Sequence, residues 1–268
     1  MFEYMLAPLE DYTCNAFRTL CYQNGADLTF TEMTRVEGII RNNKATLSKI
    51  EINDKTPVCI QLLSSNEEQL SKYLNSFVPF EGFMGFNLNL CCPSKNITKF
   101  GRGGAMVRRV EKTNKLIEII KKKNYPVSIK LSLGLNNFEK ENKVYLQNIK
   151  ETSADFYIVQ AKTSAQKSSE EYDYSVFEEC VDTNKKIIAN GGINNISKVN
   201  QLKKIGCCGV MIGRSAILDP AIFNKFKGKD VLLINKIKKN YFDLCQKYEE
   251  QDKYYSNFLN ALKTQKVD

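Results

Sequence analysis

Short apolar segments alternate with amphipathic stretches along most of this chain, a pattern typical of strands that each precede a helix. Eight segments have the apolar pattern of buried strands: residues 4–8, 28–32, 58–62, 85–90, 127–131, 156–160, 187–190 and 209–212. Eight strand–helix units in one chain predict an α/β fold of the TIM (β/α)8 barrel type rather than an open sheet.

The segments between these strands have helical spacing of their apolar positions. Helices are predicted over residues 15–22, 67–76, 105–122, 137–149 and 197–205. The pattern changes near residue 229, where apolar residues continue at helical spacing among many lysines and tyrosines. We therefore predict a barrel over residues 1–228 and a short helical C-terminal extension, one long helix or a helical pair, over residues 229–268.

Composition narrows the classes of protein that fit. The chain has 268 residues, 43% of them hydrophobic, with no segment that resembles a signal peptide or a membrane span, so we expect a cytoplasmic protein with no membrane partner. It has nine cysteines and no histidine, which excludes a Ser-His-Asp triad and a histidine-containing zinc site. Reduced thiols and no bound metal are the prediction.

The net charge of +9 favours a polyanionic partner, because neutralised phosphates supply much of the affinity for nucleic acids. Lysine-rich composition by itself explains the same charge equally well. Charge alone leaves both interpretations open.

Residues 87–106 are the most informative stretch, because an amide and two thiols stand where a strand ends. Asn89, Cys91 and Cys92 precede Pro93, and residues at the ends of barrel strands carry the chemistry of such enzymes. If the strand alternation continues through both thiols, Cys91 points away from Cys92 into the packing. The glycine-rich turn 101–104 that follows is expected to be a surface loop.

Two later strand ends have the residues of an anion site. Gly191 and Gly192 follow the seventh strand, and Gly213 and Arg214 follow the eighth. Loops at these positions of a barrel commonly bind phosphate, and glycines let backbone N–H groups approach the anion. Together with Lys130, which lies on an otherwise apolar strand, they describe a site for a phosphorylated planar cofactor.

The chain resembles the tRNA-dihydrouridine synthase family in a series of motifs that follow one another from residue 4 to about residue 223. They are MLAPLEDYTCNAFRTLCYQNGADLTFTEM, VCIQLLSS, NLNLCCPSKNITKFGRGGAM, VSIKLSLG, IIANGGI and GCCGVMIGRSAILDPAIF. The resemblance implies an enzyme that uses FMN, reduced by NADPH or NADH, to convert uridine in tRNA to 5,6-dihydrouridine. It also implies a helical C-terminal domain that helps to hold tRNA.

The resemblance also implies roles for particular residues. Cys92 matches the catalytic cysteine, which protonates C5 of the uracil while a hydride passes from flavin N5 to C6. Asn89 and Lys162 would contact the substrate, whose base must leave the RNA stack. The residues implied to bind the cofactor are Pro8, Leu9, Gln61, Lys130, Gln160, Asn190, Gly191, Gly192, Gly213 and Arg214.

The chain departs from the family pattern after the sixth strand. The family has a His-x-Arg-Thr segment there, and this chain has Gln160 and Lys162 in its place, with Thr163 kept. Two other interpretations therefore stay open. One is an FMN barrel of the dihydroorotate-dehydrogenase type that acts on a free pyrimidine, and the other is a non-catalytic RNA-binding barrel. The tRNA position, the choice between NADPH and NADH, and the oligomeric state are not assigned by the sequence.

Overall fold

The computed structural model describes residues 1–167 and 169–264 of the chain. Its strands, numbered in chain order, are β1 (Glu3–Leu6), β2 (Thr29–Phe30), β3 (Thr34–Arg35), β4 (Val58–Leu63), β5 (Phe83–Leu90), β6 (Val127–Ser132), β7 (Phe156–Gln160), β8 (Ile187–Asn190) and β9 (Gly209–Ile212). The strand pairs are all parallel, in the order β1-β9-β8-β7-β6-β5-β4-β2, with β3 also on β4.

A bridge between Met5 and Leu28 joins the first strand to the chain just before β2, so the sheet curls into a barrel. The predicted TIM-barrel class is confirmed. The predicted strand 28–32 is wrong in its extent, because two short strands flank a non-strand stretch at Thr31–Met33.

Helices cover the outside of the barrel. They are α1 (Asn15–Gln23), α2 (Val36–Ile40), α3 (Lys44–Leu47), α4 (Glu67–Ser76), α5 (Lys95–Thr98), α6 (Val110–Lys121), α7 (Asn137–Glu141), α8 (Val144–Glu151), α9 (Val176–Val181), α10 (Ile196–Ile205), α11 (Arg214–Leu218), α12 (Ile222–Phe226), α13 (Ile234–Lys247) and α14 (Asp252–Thr264). Within the described ranges, no helix has the length and apolar composition needed to cross a bilayer.

Asparagine caps explain where several helices begin. The side chains of Asn66, Asn136 and Asn195 accept hydrogen bonds from backbone N–H groups in the first turns of α4, α7 and α10. The predicted helix 137–149 is two helices, because Lys143 takes a left-handed conformation (φ 51°) that interrupts the hydrogen-bond ladder. The predicted helix 105–122 begins only at Val110, after a short 3-10 turn.

Two apolar layers form the core. Alternate residues of the strands, among them Met5, Ile158 and Met211, fill the interior of the barrel. The other faces pack against the surrounding helices in a larger continuous cluster. The interior apolar layer fills the barrel beneath the carboxyl ends of the strands, so that polar side chains near those ends face the mouth.

The C-terminal segment forms a helical pair, α13 and α14, that packs against α1. Tyr241 and Phe258 lie 5.5 and 6.0 Å from the ring of Phe17, centroid to centroid, and Tyr248 donates a hydrogen bond to Asp54 (2.8 Å). Residues 265–268 of the predicted extension lie outside the described residues. The boundary at residue 228 stays a prediction.

Candidate active site

Polar side chains meet where β4 to β8 end. The ladder places Gln61 opposite Asn87, and Asn89 opposite Lys130. It places Gln160 opposite Asn190 on the next pair of strands. Because the strands are parallel, all these residues lie near the same end of the barrel. The sequence pattern predicted this convergence.

A chain of side-chain hydrogen bonds fixes the polar residues of β4, β5 and β6. Asn89 Nδ2 donates to Gln61 Oε1 (2.9 Å), and Gln61 Nε2 donates to Asn87 Oδ1 (2.7 Å). Asn87 donates in turn to Ser128 Oγ (2.8 Å). These side chains are buried, so each bond satisfies a polar group that would otherwise be costly to desolvate.

Asn89 also shapes the turn that carries the thiols. Its Oδ1 accepts hydrogen bonds from the backbone N–H groups of Cys91 (3.1 Å) and Cys92 (3.0 Å). The predicted substrate contact is therefore also the residue that holds the two cysteines at the end of β5. This turn is closed on its other side by Gly104, whose N–H donates to the carbonyl of Cys92 (3.0 Å).

The expectation for Cys91 is wrong. β5 ends at Leu90, so the two-residue alternation does not extend to the thiols. Cys91 and Cys92 both line a cavity of about 230 Å³, and Lys130 Nζ lies 3.1 Å from Cys91 Sγ. Lys130 also donates to Gln160 Oε1 (3.1 Å), which ties β6 to β7.

Cys92 has the protonation state that a proton donor needs. Burial raises the pKa of its thiol above the ordinary value, the neighbouring Cys91 adds to this, and Lys130 and Arg35 act in the opposite direction. The thiol is therefore protonated at neutral pH. It is also partly accessible, whereas Cys91 is only 7% exposed.

A second cavity, of about 660 Å³, adjoins the first and shares Pro8, Pro93, Lys130, Gln160 and Gln166 with it. Every predicted site residue lines one or both cavities. Asn89, Cys92 and Gln61 line the smaller one, and Pro8, Lys130 and Gln160 line both. The larger one is also lined by Leu9, Lys162, Asn190, Gly191, Gly192, Gly213 and Arg214.

The larger cavity fits a phosphorylated planar cofactor. Within residues 1–167 and 169–264, no group accepts a hydrogen bond from the backbone N–H groups of Gly192, Gly213 and Arg214. The side chains of Lys162 and Arg214 supply positive charge beside these donors. Helix α11 has only five residues, so the backbone amides and the cationic side chains, rather than a helix dipole, are the groups that could bind an anion here.

Sequence reasoning missed two residues at the site. Thr163 lines the smaller cavity, and its buried Oγ1 has no hydrogen-bond partner within the described part of the chain. Tyr172 lines the larger cavity and contacts two of the cations there, Lys162 and Arg214. Thr163 was noted only as a retained family residue, and no local pattern marked Tyr172.

The glycine-rich turn is not the expected surface loop. Gly101, Gly103 and Gly104 are buried, and Arg102 forms an ion pair with Glu37 and donates to Ser65 Oγ (3.3 Å). A Cβ atom on Gly103 would lie 2.7 Å from the carbonyl oxygen of Cys92. The turn therefore supports the thiol-bearing segment from beneath.

Two solved structures share this architecture. A morphinone reductase mutant in complex with tetrahydroNAD superposes with a TM-score of 0.58 at 11% identity, over 84% of this chain and 86% of that one. The structure of TcOYE with pHBA gives a TM-score of 0.51 at 11% identity, over 90% of this chain and 95% of that one. At such low identity these likenesses show the fold, a parallel β/α barrel.

The family is shown by sequence. The profile of the family described as dihydrouridine synthase (Dus) matches residues 5–267, and the chain belongs to that family. A probable tRNA-dihydrouridine synthase of Aquifex aeolicus is 28% identical over 85% of this chain and 73% of its own length. One of Staphylococcus aureus (strain COL) is 26% identical over 93% of this chain and 79% of its own length. These relatives support dihydrouridine formation in tRNA as the general activity.

Proposed function

We propose that this protein is an FMN- and NAD(P)H-dependent enzyme that reduces uridine to 5,6-dihydrouridine in tRNA, with Cys92 as the proton donor. The observation that carries the proposal is the pair of adjoining cavities. One is lined by a protonated thiol and an amide. The other is lined by cationic side chains and by backbone N–H donors that have no acceptor among the described residues.

The larger cavity would hold the cofactor. Gly191, Gly192, Gly213, Arg214 and Asn190 would surround the phosphate end, and Pro8, Leu9, Gln61, Lys130 and Gln160 would contact the ring system. When bound, FMN supplies the hydride that the reduction of a carbon–carbon double bond requires. Lys130 provides a positive charge where negative charge develops.

The smaller cavity would receive the target base. Its volume of about 230 Å³ suits a single base, which must leave the RNA stack to enter it. Asn89 keeps Cys92 in place through the backbone of the turn and presents its amide to the same cavity. The Cys92 thiol gives its proton to C5 of the uracil, and solvent returns a proton to the thiolate afterwards.

The outer surface would bind the rest of the tRNA. The net charge of +9 suits a polyanion. Lys162, which was expected to contact the substrate, is buried in the wall of the larger cavity and would lie at the phosphate end of the cofactor instead. We take residues 1–228 as the cofactor-binding barrel and residues 229–268 as an extension that helps to hold tRNA.

The direct test is incubation of an unmodified tRNA transcript with the protein, FMN and NADPH or NADH, followed by mass spectrometry of the nucleosides. Dihydrouridine is expected in the tRNA, and free uridine and dihydroorotate are expected to stay unchanged. Turnover of a free pyrimidine without tRNA modification would favour the dihydroorotate-dehydrogenase type instead. Absence of any flavin-dependent product would contradict the enzyme assignment.

A further inference from the structure

Tyr172 is the residue that joins the separate parts of the larger cavity. It lies in the segment between β7 and α9, and its half-buried ring covers two glycines that follow β8. A Cβ atom at Gly191 would lie 2.4 Å from Tyr172 Cδ1, and one at Gly192 would lie 2.6 Å from Cδ2. Any side chain at either position would displace the ring, so these glycines are required by Tyr172 as well as by their positive φ angles.

The same residue contacts two of the cations that line the cavity. Arg214 Nη2 donates a hydrogen bond to Tyr172 Oη (2.8 Å), and Lys162 Nζ lies 4.1 Å from the ring centroid. A cation over an aromatic face is attracted by the ring quadrupole. Lys162 Nζ also donates to the carbonyl of Lys167 (2.9 Å), which fixes the lysine from the other side.

The contacts with Tyr172 oppose the electrostatic repulsion between two cations that lie near each other. Lysine and arginine have long, flexible side chains, and repulsion between their charges moves the side chains apart unless other contacts fix them. Lys162 is also 2% exposed, so its charge has little help from water. Tyr172 holds Arg214 through its hydroxyl and Lys162 through its face. Both cations line the same cavity as Gly192 and Gly213, whose N–H groups have no acceptor in the described part of the chain.

We propose that Tyr172 is a positioning residue for the cofactor phosphate, which keeps Arg214 and Lys162 directed at the anion before it binds. The proposal rests on the FMN site of the proposed function and adds a residue to it. Preorganised cations bind an anion more tightly because the ordering of their side chains is already complete. Tyr172 therefore acts on the phosphate end of the ligand and leaves the affinity for the ring system unchanged.

The test compares FMN with riboflavin, which has the same ring system and no phosphate. The dissociation constants of both are measured by flavin fluorescence with the full-length protein after removal of bound flavin. Tyr172→Phe removes the hydrogen bond to Arg214 and keeps the ring, and it should weaken FMN binding about fivefold. Riboflavin binding should be unchanged, so the preference for FMN over riboflavin falls by the same factor.

A double-mutant cycle with Arg214→Met checks that the effect passes through the guanidinium. In the Arg214→Met background, Tyr172→Phe should cost no further FMN affinity, because the two changes remove one interaction. Tyr125→Phe is the matched control. The hydroxyl of Tyr125 donates to the carbonyl of Phe77 (3.4 Å), before β6 begins, and its loss should leave both dissociation constants unchanged.

Melting temperatures of all variants exclude loss of folding as the cause. Equal weakening of FMN and riboflavin by Tyr172→Phe, or no weakening of either, would overturn the proposal while the FMN site itself stands. Additive effects of Tyr172→Phe and Arg214→Met would overturn it as well. If the wild-type protein binds neither flavin, the proposed function fails together with this inference.

Discussion

The two sides of the barrel mouth are built on different principles. We call the first the thiol side: Gln61, Asn89, Cys91, Cys92 and Lys130. We call the second the cation side: Lys162, Tyr172, Gly191, Gly192 and Arg214. The thiol side is fixed by direct hydrogen bonds between buried side chains. The cation side depends on long side chains held against one aromatic ring.

This difference matches the different requirements of proton transfer and of phosphate binding. The position of a proton donor relative to its target must be correct to within a fraction of an ångström, and fully satisfied hydrogen-bond networks at strand ends provide that precision. A phosphate needs charge and free N–H groups, which tolerate more variation in position. Substitutions on the thiol side should therefore mainly change the rate of the chemical step, and those on the cation side should mainly change ligand affinity.

The largest expected effect is that of Cys92→Ala. Removal of the proton donor should slow reoxidation of the reduced flavin by tRNA by about 100-fold or more. Flavin affinity and reduction by NADPH should stay near the wild-type values, because the thiol is not needed for either. Stopped-flow absorbance of the flavin separates these steps, and Cys208→Ala, a partly exposed thiol that lines neither cavity, is the control. Equal slowing of both half-reactions would argue against Cys92 as the acid.

Lys130→Met should affect the other half-reaction. The substitution keeps much of the side-chain volume and removes the positive charge, so flavin reduction by NADPH should slow by about 100-fold. It also removes the contact between Lys130 and Cys91 Sγ. Lys115→Met, at an exposed lysine paired with Glu111, is the control and should reduce the flavin normally. A normal rate in Lys130→Met would show that the lysine is only structural.

Cys91→Ala tests which of the two neighbouring thiols does the chemistry. Cys91 is buried and contacts Lys130, so its loss should lower activity less than about tenfold by loosening that lysine. Cys91→Ser keeps a polar atom near Lys130 and should recover part of the loss. Dihydrouridine formation is the readout. If Cys91→Ala is inactive and Cys92→Ala is active, Cys91 rather than Cys92 is the proton donor.

The smallest expected effect concerns Glu32, a buried residue in the stretch between β2 and β3. Burial, then Glu10 and Asp11, raise the pKa of its carboxyl to about 7, and Lys49 and Lys253 partly oppose this. The folded state thus holds this proton more tightly than the unfolded chain. Its contribution to stability is present below about pH 4.5 and is lost as the pH rises through about 7.

Glu32→Gln should remove this pH dependence. The difference in unfolding free energy, variant minus wild type, should increase by about 1–3 kcal/mol as the pH rises from 4.5 to 8. Urea unfolding across that range measures the gap. Glu68→Gln, at an exposed carboxyl on α4, should show no such shift. A gap that does not vary with pH would mean that Glu32 is ionised in the folded protein throughout.

The thiol side could largely be predicted from the sequence. Buried parallel strands appear in the sequence as continuous apolar runs, so a polar residue within one, such as Lys130, is recognisable by its position alone. Gln61 was predicted through the resemblance to the family. The orientation of Cys91 was predicted wrongly because the strand alternation was extended past residue 90, where both the predicted and the observed strand end. Beyond that residue the turn, rather than the alternation of the strand, sets the direction of each side chain.

The cation side was only partly predictable. Gly191, Gly192, Gly213 and Arg214 follow strand ends and could be found by their type and position. Tyr172 lies in an irregular segment, and nothing in its local pattern indicates that its ring covers glycines after β8. The break at Lys143 in the predicted helix 137–149 was likewise hidden, because the apolar spacing continues on both sides of it.

The central claim is that Cys92 donates a proton to uridine in tRNA. Its most direct test is the dihydrouridine content of an unmodified tRNA transcript after treatment with reduced, flavin-loaded protein. Wild type, Cys91→Ala and Cys208→Ala should all form dihydrouridine, and Cys92→Ala should form at least about 100-fold less per unit time. Dihydrouridine formation by Cys92→Ala at the wild-type rate would contradict the account.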